Sequence, residues 1–564
     1  MDNQRIILFF TLSFVLLLLW QAWQDDFAPT AEPQVVTERL LPSSDTNTTN
    51  NSSVSTSNDI PVVPKLATNV AIAQATPAED NSLHGEQRLH IRTDVLDIEI
   101  DTVGGDIRQV DLIAYPNEVN RPDDALRLMQ DSSFKIFIAQ TGLLSDLSAP
   151  DHHAVFTAPK TDFVLKDGAD VLRVPMQWQG EDGISVTKTF VFHRDSYLIE
   201  IEQQVNNASA ENWKGYQYRQ FQRTRPGDDE SSAFIYTYTG AVFHNNEDKY
   251  EKYDFDDMDD DDLNRDFAGG WAAMIQHYFV AAWLPEASEK NHYYSKAPQN
   301  SPYVLGLISP EKTVAAGQTG NFNSRLYVGP KDQKRLKATA EGLELTVDYG
   351  ILTIVADPLF WLLAHIYTLL GNWGWSIIIL TLIIKLVFYK LSEKQYKSMA
   401  NMRVLQPKVT SIRERYGDDR QRMSKAMMEL YKKEKVNPLG GCLPMLVQIP
   451  VFIALYWVLL ESVELRQADF MFWIHDLSSK DPFYILPLLM GISMFIQQKL
   501  NPPPPDPVQA KVLMALPFVF TLFFAFFPSG LVLYWVTNSV LSILQQWFIT
   551  RRIEQQSAAK KLSS

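Results

Sequence analysis

Residues Trp373–Tyr389 read WGWSIIILTLIIKLVFY, an almost unbroken apolar run that decides the fold. Four further apolar runs follow along the chain: Leu443–Leu460, Tyr484–Ile496, Val512–Phe527 and Leu531–Phe548. Several are shorter than the roughly 20 residues that a full bilayer crossing prefers, but flanking semi-polar residues extend each of them. The pattern therefore predicts a membrane α-helical bundle with five spans over residues 372–550.

A sixth apolar segment lies near the N-terminus, where Ile6–Trp20 follows a single Arg5. A cleaved signal peptide is the competing interpretation, but no small-residue cleavage site follows the run. Trp20 and Trp23 instead suit the aromatic belt of a membrane interface. We therefore predict an uncleaved membrane anchor over residues 1–24, which brings the number of spans to six.

Charge divides the chain into two unlike parts. Residues 1–350 carry 29 Lys/Arg against 52 Asp/Glu, and residues 351–564 carry 22 against 14. An acidic surface is unsuited to DNA, because phosphate binding needs basic groups. Basic residues concentrate in segment 390–439, with 13 Lys/Arg and 6 Asp/Glu, and in the tail 551–564. The positive-inside rule places both segments and both termini in the cytoplasm, and the acidic part outside.

The acidic part is predicted to contain a linker and a β-rich domain. Residues 25–85 form the linker, since Ser43–Asn58 is almost entirely Ser, Thr, Asn and Asp and cannot bury enough apolar surface to order itself. Residues 86–345 show mostly apolar residues at alternate positions: Leu96, Ile98 and Ile100; Ile184, Val186, Lys188, Phe190 and Phe192; Tyr197, Ile199, Ile201 and Val205. This alternation, repeated without intervening helices, predicts an all-β sandwich.

Residues 346–371 are predicted to hold an interfacial helix on the outer membrane surface. Pro358–Leu370 is apolar and aromatic with His365 as its polar member, and Gly371 and Asn372 end it. His365 is interpreted as a rim residue rather than a ligand.

Segment 390–439 is predicted to form a cytoplasmic helical hairpin with its turn at Tyr416–Asp419. One face is rich in methionine: Met399, Met402, Met423 and Met427. Two interpretations stay open. The hairpin is either an ordinary solvated pair of helices or a docking surface for nascent chains and partners, because methionine side chains adapt to varied apolar surfaces.

Catalytic and metal-binding patterns are missing from the sequence. It contains no G-x-S-x-G, H-E-x-x-H or P-loop motif, and a single cysteine, Cys442, which is interpreted as a small buried apolar residue. The acidic run Asp254–Asp262 lacks the glycine and terminal glutamate of a calcium loop and is predicted to be a solvated loop. We therefore predict a protein that is not an enzyme and needs no cofactor or metal.

Polar residues inside the apolar runs are the informative positions. Lys385 shares one helical face with Thr381, and Gln448 lies in the third span. In the last span a second polar face comprises Tyr534, Asn538, Ser542 and Gln545. Because polar residues within spans normally face a bundle interior or a water-filled cavity, we predict a wet groove. Lys385 either presents a charge to this groove or extends its amine towards the membrane surface.

At these residues the chain resembles the YidC insertase family. The resemblance covers residues 350–550 and includes the following segments: Asn372–Gly374, Met402–Gly417, Lys435–Cys442, Gln467–Leu477 and Phe527–Trp535. The first 350 residues resemble the long Gram-negative form of the family, which carries a periplasmic β-supersandwich.

The resemblance implies a five-helix core around a groove open to cytoplasm and lipid but closed to the periplasm. It further implies a bacterial inner-membrane insertase and chaperone whose partners are nascent membrane proteins, the Sec translocon, the ribosome and lipids. The family usually has arginine at the position of Lys385, and lysine keeps the charge but loses the bidentate fork. Tyr534 and Trp535 match two aromatic positions that face the incoming helix.

Two other functions are compatible with parts of the sequence. A solute transporter would be expected to show repeated spans or an intramembrane carboxylate, and the spans show neither. A sugar-binding or sugar-modifying protein is suggested only by analogy, since supersandwich folds occur in carbohydrate epimerases.

Overall fold

The computed structural model describes residues 60–61, 87–227, 237–247, 249–298, 302–416, 419–434, 443–501 and 507–562. The predicted anchor, nearly all of the linker, Cys442 and two of the four residues at the hairpin turn lie outside these described residues.

Nineteen strands build the domain that precedes the long helices of the described chain. They are β1 Arg88–Arg92, β2 Leu96–Asp101, β3 Ile107–Pro116, β4 Ala125–Ser132, β5 Lys135–Ser145, β6 Asp162–Val164, β7 Val171–Gln179, β8 Ile184–His193, β9 Leu198–Asn207, β10 Trp213–Arg223, β11 Thr239–Asn245, β12 Lys249–Tyr253, β13 Asn264–Ala268, β14 Trp271–Gln276, β15 Phe279–Leu284, β16 Lys290–Lys296, β17 Tyr303–Ile308, β18 Lys312–Val314 and β19 Thr319–Pro330.

The strands form two large sheets. One has eleven strands in the order β13-β16-β17-β10-β5-β4-β3-β2-β1-β6, with β18 paired to β10, and the other has eight in the order β12-β11-β14-β15-β19-β9-β8-β7. Pairing is antiparallel except between β1 and β6. Phe221 of the first sheet lies 5.8 Å from Trp283 of the second, measured between ring centroids, within one shared apolar core. The predicted all-β sandwich is confirmed.

Alternation in the sequence identified the inward faces correctly. Ile184, Val186 and Phe190 of β8 are buried, as is Ile199 of β9. Lys188 lies on the same inward face, and its ammonium donates to Gly104 O at 2.7 Å and to Thr141 O at 2.8 Å. Burial lowers the pKa of Lys188 to about 8, because an ammonium without water is disfavoured.

The acidic run departs from its predicted loop conformation. Residues Phe255–Asp260 form a short helix, α1, that begins after a reciprocal cap between Asp254 and Asp257. Its Phe255 and Met258 side chains are buried, which gives the segment an apolar anchor. The cap therefore satisfies the free amides at the helix start, and packing holds the helix in place.

Helices dominate the rest of the described chain. They are α2 Gln333–Thr339, α3 Thr353–Leu370, α4 Trp373–Val387, α5 Tyr389–Tyr416, α6 Arg420–Lys433, α7 Leu443–Glu461, α8 Ile485–Leu500, α9 Pro507–Phe524 and α10 Ser529–Leu562. Short 3-10 turns occur at Leu343–Thr346, Gly350–Leu352 and Val463–Leu465.

Each of the five predicted apolar runs contributes to a helix, namely α4 and α7 to α10. By length and composition, one described helix is apolar enough to cross a membrane, Gly350–Leu370, or two if α4 and the first part of α5 count as one span bent by 68°. Val447–Glu461, Ile485–Leu500 and Ala510–Phe524 are shorter apolar helices. The number of spans, six, stays a prediction, as does the interfacial position of α3.

The loop between α7 and α8 packs across the starts of α4 and α10. Asp481 is fully buried and accepts from Trp473 Nε1 at 3.0 Å and Leu486 N at 2.7 Å. Asn372 Nδ2 donates to Phe470 O at 3.0 Å, and Ser529 Oγ donates to Asp476 O at 2.8 Å. Leu486 N is thereby satisfied at the start of α8, and the two side-chain bonds attach the loop to the starts of α4 and α10.

Candidate functional site

Lys385 is a half-buried cation near the C-terminal end of α4. Its Nζ donates to Ser542 Oγ of α10 at 2.8 Å. Ser542 is buried and its hydroxyl in turn donates to Asn538 O, one turn earlier, at 2.7 Å. Tyr396 of α5 is also buried, with its hydroxyl 3.5 Å from Ser542 O. We call Lys385, Tyr396, Asn538 and Ser542 the polar cluster.

The polar cluster connects the two faces that the sequence indicated separately. Spacing along α4 alone could not predict a hydrogen-bond partner for Lys385. In the structure that partner is Ser542 of α10. Thr381, one turn before Lys385, is 1% exposed and donates to Ile377 O of its own helix at 2.7 Å. Its hydroxyl is thereby satisfied by the helix itself, which is common for threonine in apolar surroundings.

An aromatic group lies one to two turns from the polar cluster along α10. Phe452 of α7 stacks on Tyr534 with ring centroids 5.9 Å apart and meets Trp535 edge-on at 4.8 Å. Tyr534 is buried, and Trp535 is half-buried. Gln448, also half-buried, precedes Phe452 by one turn of α7 and so shares its face. Ser542 follows Tyr534 by about 12 Å along the helix axis.

Several polar atoms on α10 are buried without a hydrogen-bond partner among the described residues. They are Trp535 Nε1, both amide atoms of Gln545, and Gln546 Oε1. An unpaired buried polar group costs about 1–3 kcal/mol. These groups therefore favour a visiting polar chain or water, and they lie on the helix that carries Asn538 and Ser542.

The hairpin methionines have intermediate exposure. Met399 and Met402 of α5 and Met423 and Met427 of α6 are half-buried. The two helices are linked by an ion pair between Lys408 Nζ and Glu434 Oε1 at 2.5 Å. Their proposed docking role stays a prediction.

Similarity to known proteins decides the family. A model of the YidC periplasmic domain matches residues 88–362, and a model described as the 60Kd inner membrane protein matches residues 365–556. A membrane protein insertase YidC of Methylococcus capsulatus is 51% identical over 99% of this chain and 100% of its own length. The chain belongs to the YidC family of membrane protein insertases. The resemblance drawn from its motifs is confirmed.

Two further similarities cover most or all of the chain. A YidC insertase of Thioalkalivibrio sulfidiphilus is 50% identical over the full length of both chains. A solved structure of an active YidC insertase with its first transmembrane domain resolved covers 82% of this chain and 92% of its own, with 18% identity and a TM-score of 0.37. As a YidC-family member the chain is an insertase of the inner membrane with a periplasmic domain, and not an enzyme.

Two residues that position the helices of the bundle are not among those predicted from the sequence. Phe452 joins α7 to the aromatic pair of α10, and Asp481 organises the loop between α7 and α8. Phe452 follows Gln448 by four residues, which was a usable signal. Asp481 had only the weaker signal of a lone carboxylate before an apolar run.

Proposed function

We propose that the polar cluster lines a groove open to the cytoplasm and lipid and closed towards the periplasm. The groove receives the hydrophilic segment of a nascent membrane protein while the adjoining apolar helix moves into lipid. The residues that line it are Thr381, Lys385, Gln448, Tyr534, Trp535, Asn538 and Ser542. The protein thereby inserts and helps to fold membrane proteins, alone or beside the Sec translocon.

One observation carries this proposal: the contact between Lys385 Nζ and Ser542 Oγ at 2.8 Å. A cation inside a span is costly and normally faces a cavity or a partner. Lys385 has a neutral hydroxyl partner, so its positive charge is not cancelled by a carboxylate within the described residues. That charge is available to attract an acidic translocated segment.

The driving force requires no nucleotide hydrolysis. Burying an apolar helix of about 20 residues in lipid is strongly favourable, at roughly 25 cal/mol per Å² removed from water. The barrier is the passage of the polar tail through hydrocarbon. A polar groove shortens that passage and supplies hydrogen-bond partners such as Trp535 Nε1.

Topology and partners complete the proposal. Six spans place both termini in the cytoplasm and the β-domain in the periplasm. The hairpin of α5 and α6 then faces the cytoplasm, where its methionines offer an adaptable apolar surface and its basic residues suit ribosomal RNA.

Charge substitutions at Lys385 test the proposal. Lys385→Arg should insert substrates almost normally, since both side chains are cations. Lys385→Ala should slow substrates with acidic translocated tails, and Lys385→Glu should be worse, because like charges about 4 Å apart repel by roughly 4 kcal/mol at an effective dielectric near 20. The measurement is protease protection of tails that differ only in charge.

Lys390→Ala is the matched control, because it removes an equal charge from an exposed position nearby. It should insert all tails like the parent chain. Equal insertion of every tail by the Lys385 parent and the Ala variant would rule out the groove-charge mechanism.

A further inference from the structure

A small polar cavity lies between α5, the C-terminal end of α8 and residues 546–551 of α10. Its volume is about 290 Å³, and it is lined by Arg403, Leu500, Gln546, Trp547, Thr550 and Arg551. It shares no residue with the polar cluster. Ser529 begins α10 at the opposite end, and Arg551 follows it by about 33 Å along the helix axis, close to the thickness of a bilayer hydrocarbon core. The cavity therefore lies at headgroup depth.

Two arginines give the cavity a positive charge. Arg403 and Arg551 are both exposed, and neither forms an ion pair with a carboxylate in the described part of the chain. The Arg551 guanidinium lies 5.2 Å from the ring centroid of Trp547, which holds it at the rim. Trp547 is 54% exposed, as expected for an aromatic side chain at a membrane interface. Guanidinium groups bind phosphate oxygens bidentately.

Gln546 provides an independent observation that points to a ligand. The residue is 5% exposed, and its Nε2 donates to Leu500 O and to Asn501 Oδ1, both at 3.3 Å. These two acceptors fix the amide orientation, because an amide oxygen turned towards them would be repelled. Gln546 Oε1 is buried without a partner among the described residues. A buried acceptor beside two cations calls for a ligand that carries a hydroxyl donor as well as an anion.

We propose that this cavity binds the headgroup of an anionic phospholipid that bears a free hydroxyl, of the phosphatidylglycerol class. Arg403 and Arg551 bind the phosphodiester, and the glycerol hydroxyl donates to Gln546 Oε1. Thr550 offers a further hydroxyl to the phosphate. The shared chemistry, a phosphate anion, also belongs to free inorganic phosphate, but the depth of the cavity and the hydroxyl requirement favour lipid.

Native mass spectrometry of the full chain in detergent tests the proposal. The chain is titrated separately with phosphatidylglycerol, with phosphatidylmethanol, which has the same charge and no free hydroxyl, and with zwitterionic phosphatidylcholine. We expect binding to weaken in that order. Arg403→Gln combined with Arg551→Gln should weaken phosphatidylglycerol binding about tenfold, as for the loss of charge-assisted hydrogen bonds.

Arg413→Gln combined with Arg415→Gln is the matched control, because it removes two positive charges from α5, the helix of Arg403, at positions outside the cavity. It should bind phosphatidylglycerol like the parent. Unchanged phosphatidylglycerol binding by the Arg403 and Arg551 double variant would overturn the proposal. Displacement of the lipid by millimolar inorganic phosphate, or equal binding of phosphatidylmethanol, would overturn the assignment to a hydroxyl-bearing lipid. The measurement involves no insertion assay, so its failure and failure of the groove mechanism are separate results.

Discussion

Glu464 shows what a single residue contributes at the boundary between the two domains. It lies in the 3-10 turn after α7, and its Oε2 is buried without a partner among the described residues. Burial raises the pKa of Glu464 to about 7, and the negative charge of Asp332 acts in the same direction. The carboxyl group is therefore protonated in the folded chain at pH values where an unfolded chain has released the proton.

The sign of the pH dependence follows from this raised pKa. Between about pH 4.5 and 7 the unfolded chain binds fewer protons at Glu464 than the folded chain, so the free energy of unfolding falls as pH rises. The loss of free energy of unfolding caused by ionising Glu464 is complete above pH 7 and amounts to at most about 3 kcal/mol. Glu464→Gln should unfold at a higher temperature than the parent at pH 8 and at nearly the same temperature at pH 4.5. Parallel pH profiles of the melting temperature would contradict this account.

The polar residues of α4 and α10 show which features of the site can be predicted from the sequence and which cannot. The positions of Lys385 and Ser542 on polar helical faces followed from spacing alone. The contact between Lys385 and Ser542 could not be predicted in this way. It depends on the relative axial positions of α4 and α10, which are set by the packing of the 156 residues between them. Gln545 was placed on the polar face by spacing, but the absence of a partner for its amide within the described residues is a property of the packed bundle.

At the scale of elements, a buried ion pair joins the β-domain to α7. Lys331, just after β19, lies 3.1 Å from Glu461 at the end of α7, with side-chain exposures of 2% and 6%. Lys331 Nζ also donates to Thr346 O at 3.1 Å. Removing one partner from such a pair leaves a buried charge unpaired. This destabilises a protein more than replacing both partners with apolar residues of similar size.

A double-mutant cycle measures this coupling. Glu461→Leu and Lys331→Met should each lower the free energy of unfolding by about 3–5 kcal/mol, and combining the two should recover most of the loss. Denaturant unfolding of the purified full chain in detergent gives both values. The exposed pair of Arg173 and Glu202 is the control, since Glu202→Gln should cost at most about 1 kcal/mol. Additive effects of the two single substitutions at 331 and 461 would refute the coupling.

Elements differ in how readily their sequence predicts them. Alternation of inward-facing and polar residues predicts the inward faces of β8 and β9. The long apolar runs predict α4 and α7 to α10. The helix α1 was missed because its carboxylates dominated the interpretation, although Asp254 and Asp257 have capping spacing. The loop before α8 was missed because its order comes from hydrogen bonds to the Asp476 and Asp481 carboxylates within the loop and from the bond that Ser529 of α10 donates to Asp476 O.

At the scale of the whole molecule, composition separates an acidic part from a basic part, and in the described chain the strands lie in the first and most of the long helices in the second. Composition could not predict how the two are joined. Arg466 Nη2 and Gln467 Nε2 both donate to Pro116 O at 2.7 Å, across some 350 residues of sequence. These contacts, together with the ion pair of Lys331, attach the β-domain to the end of α7 and the loop that follows it.

In the proposed mechanism an inserting chain passes along the polar face of α10. Photo-crosslinking tests it most directly, with a reactive side chain placed at Asn538, or at Val540 on the opposite, 43% exposed face of the same helix. The reaction partner is a ribosome-stalled membrane protein whose first apolar helix has just emerged. We expect strong adducts from position 538 and weak adducts from position 540. Equal adducts from both positions, or stronger adducts from position 540, would contradict it.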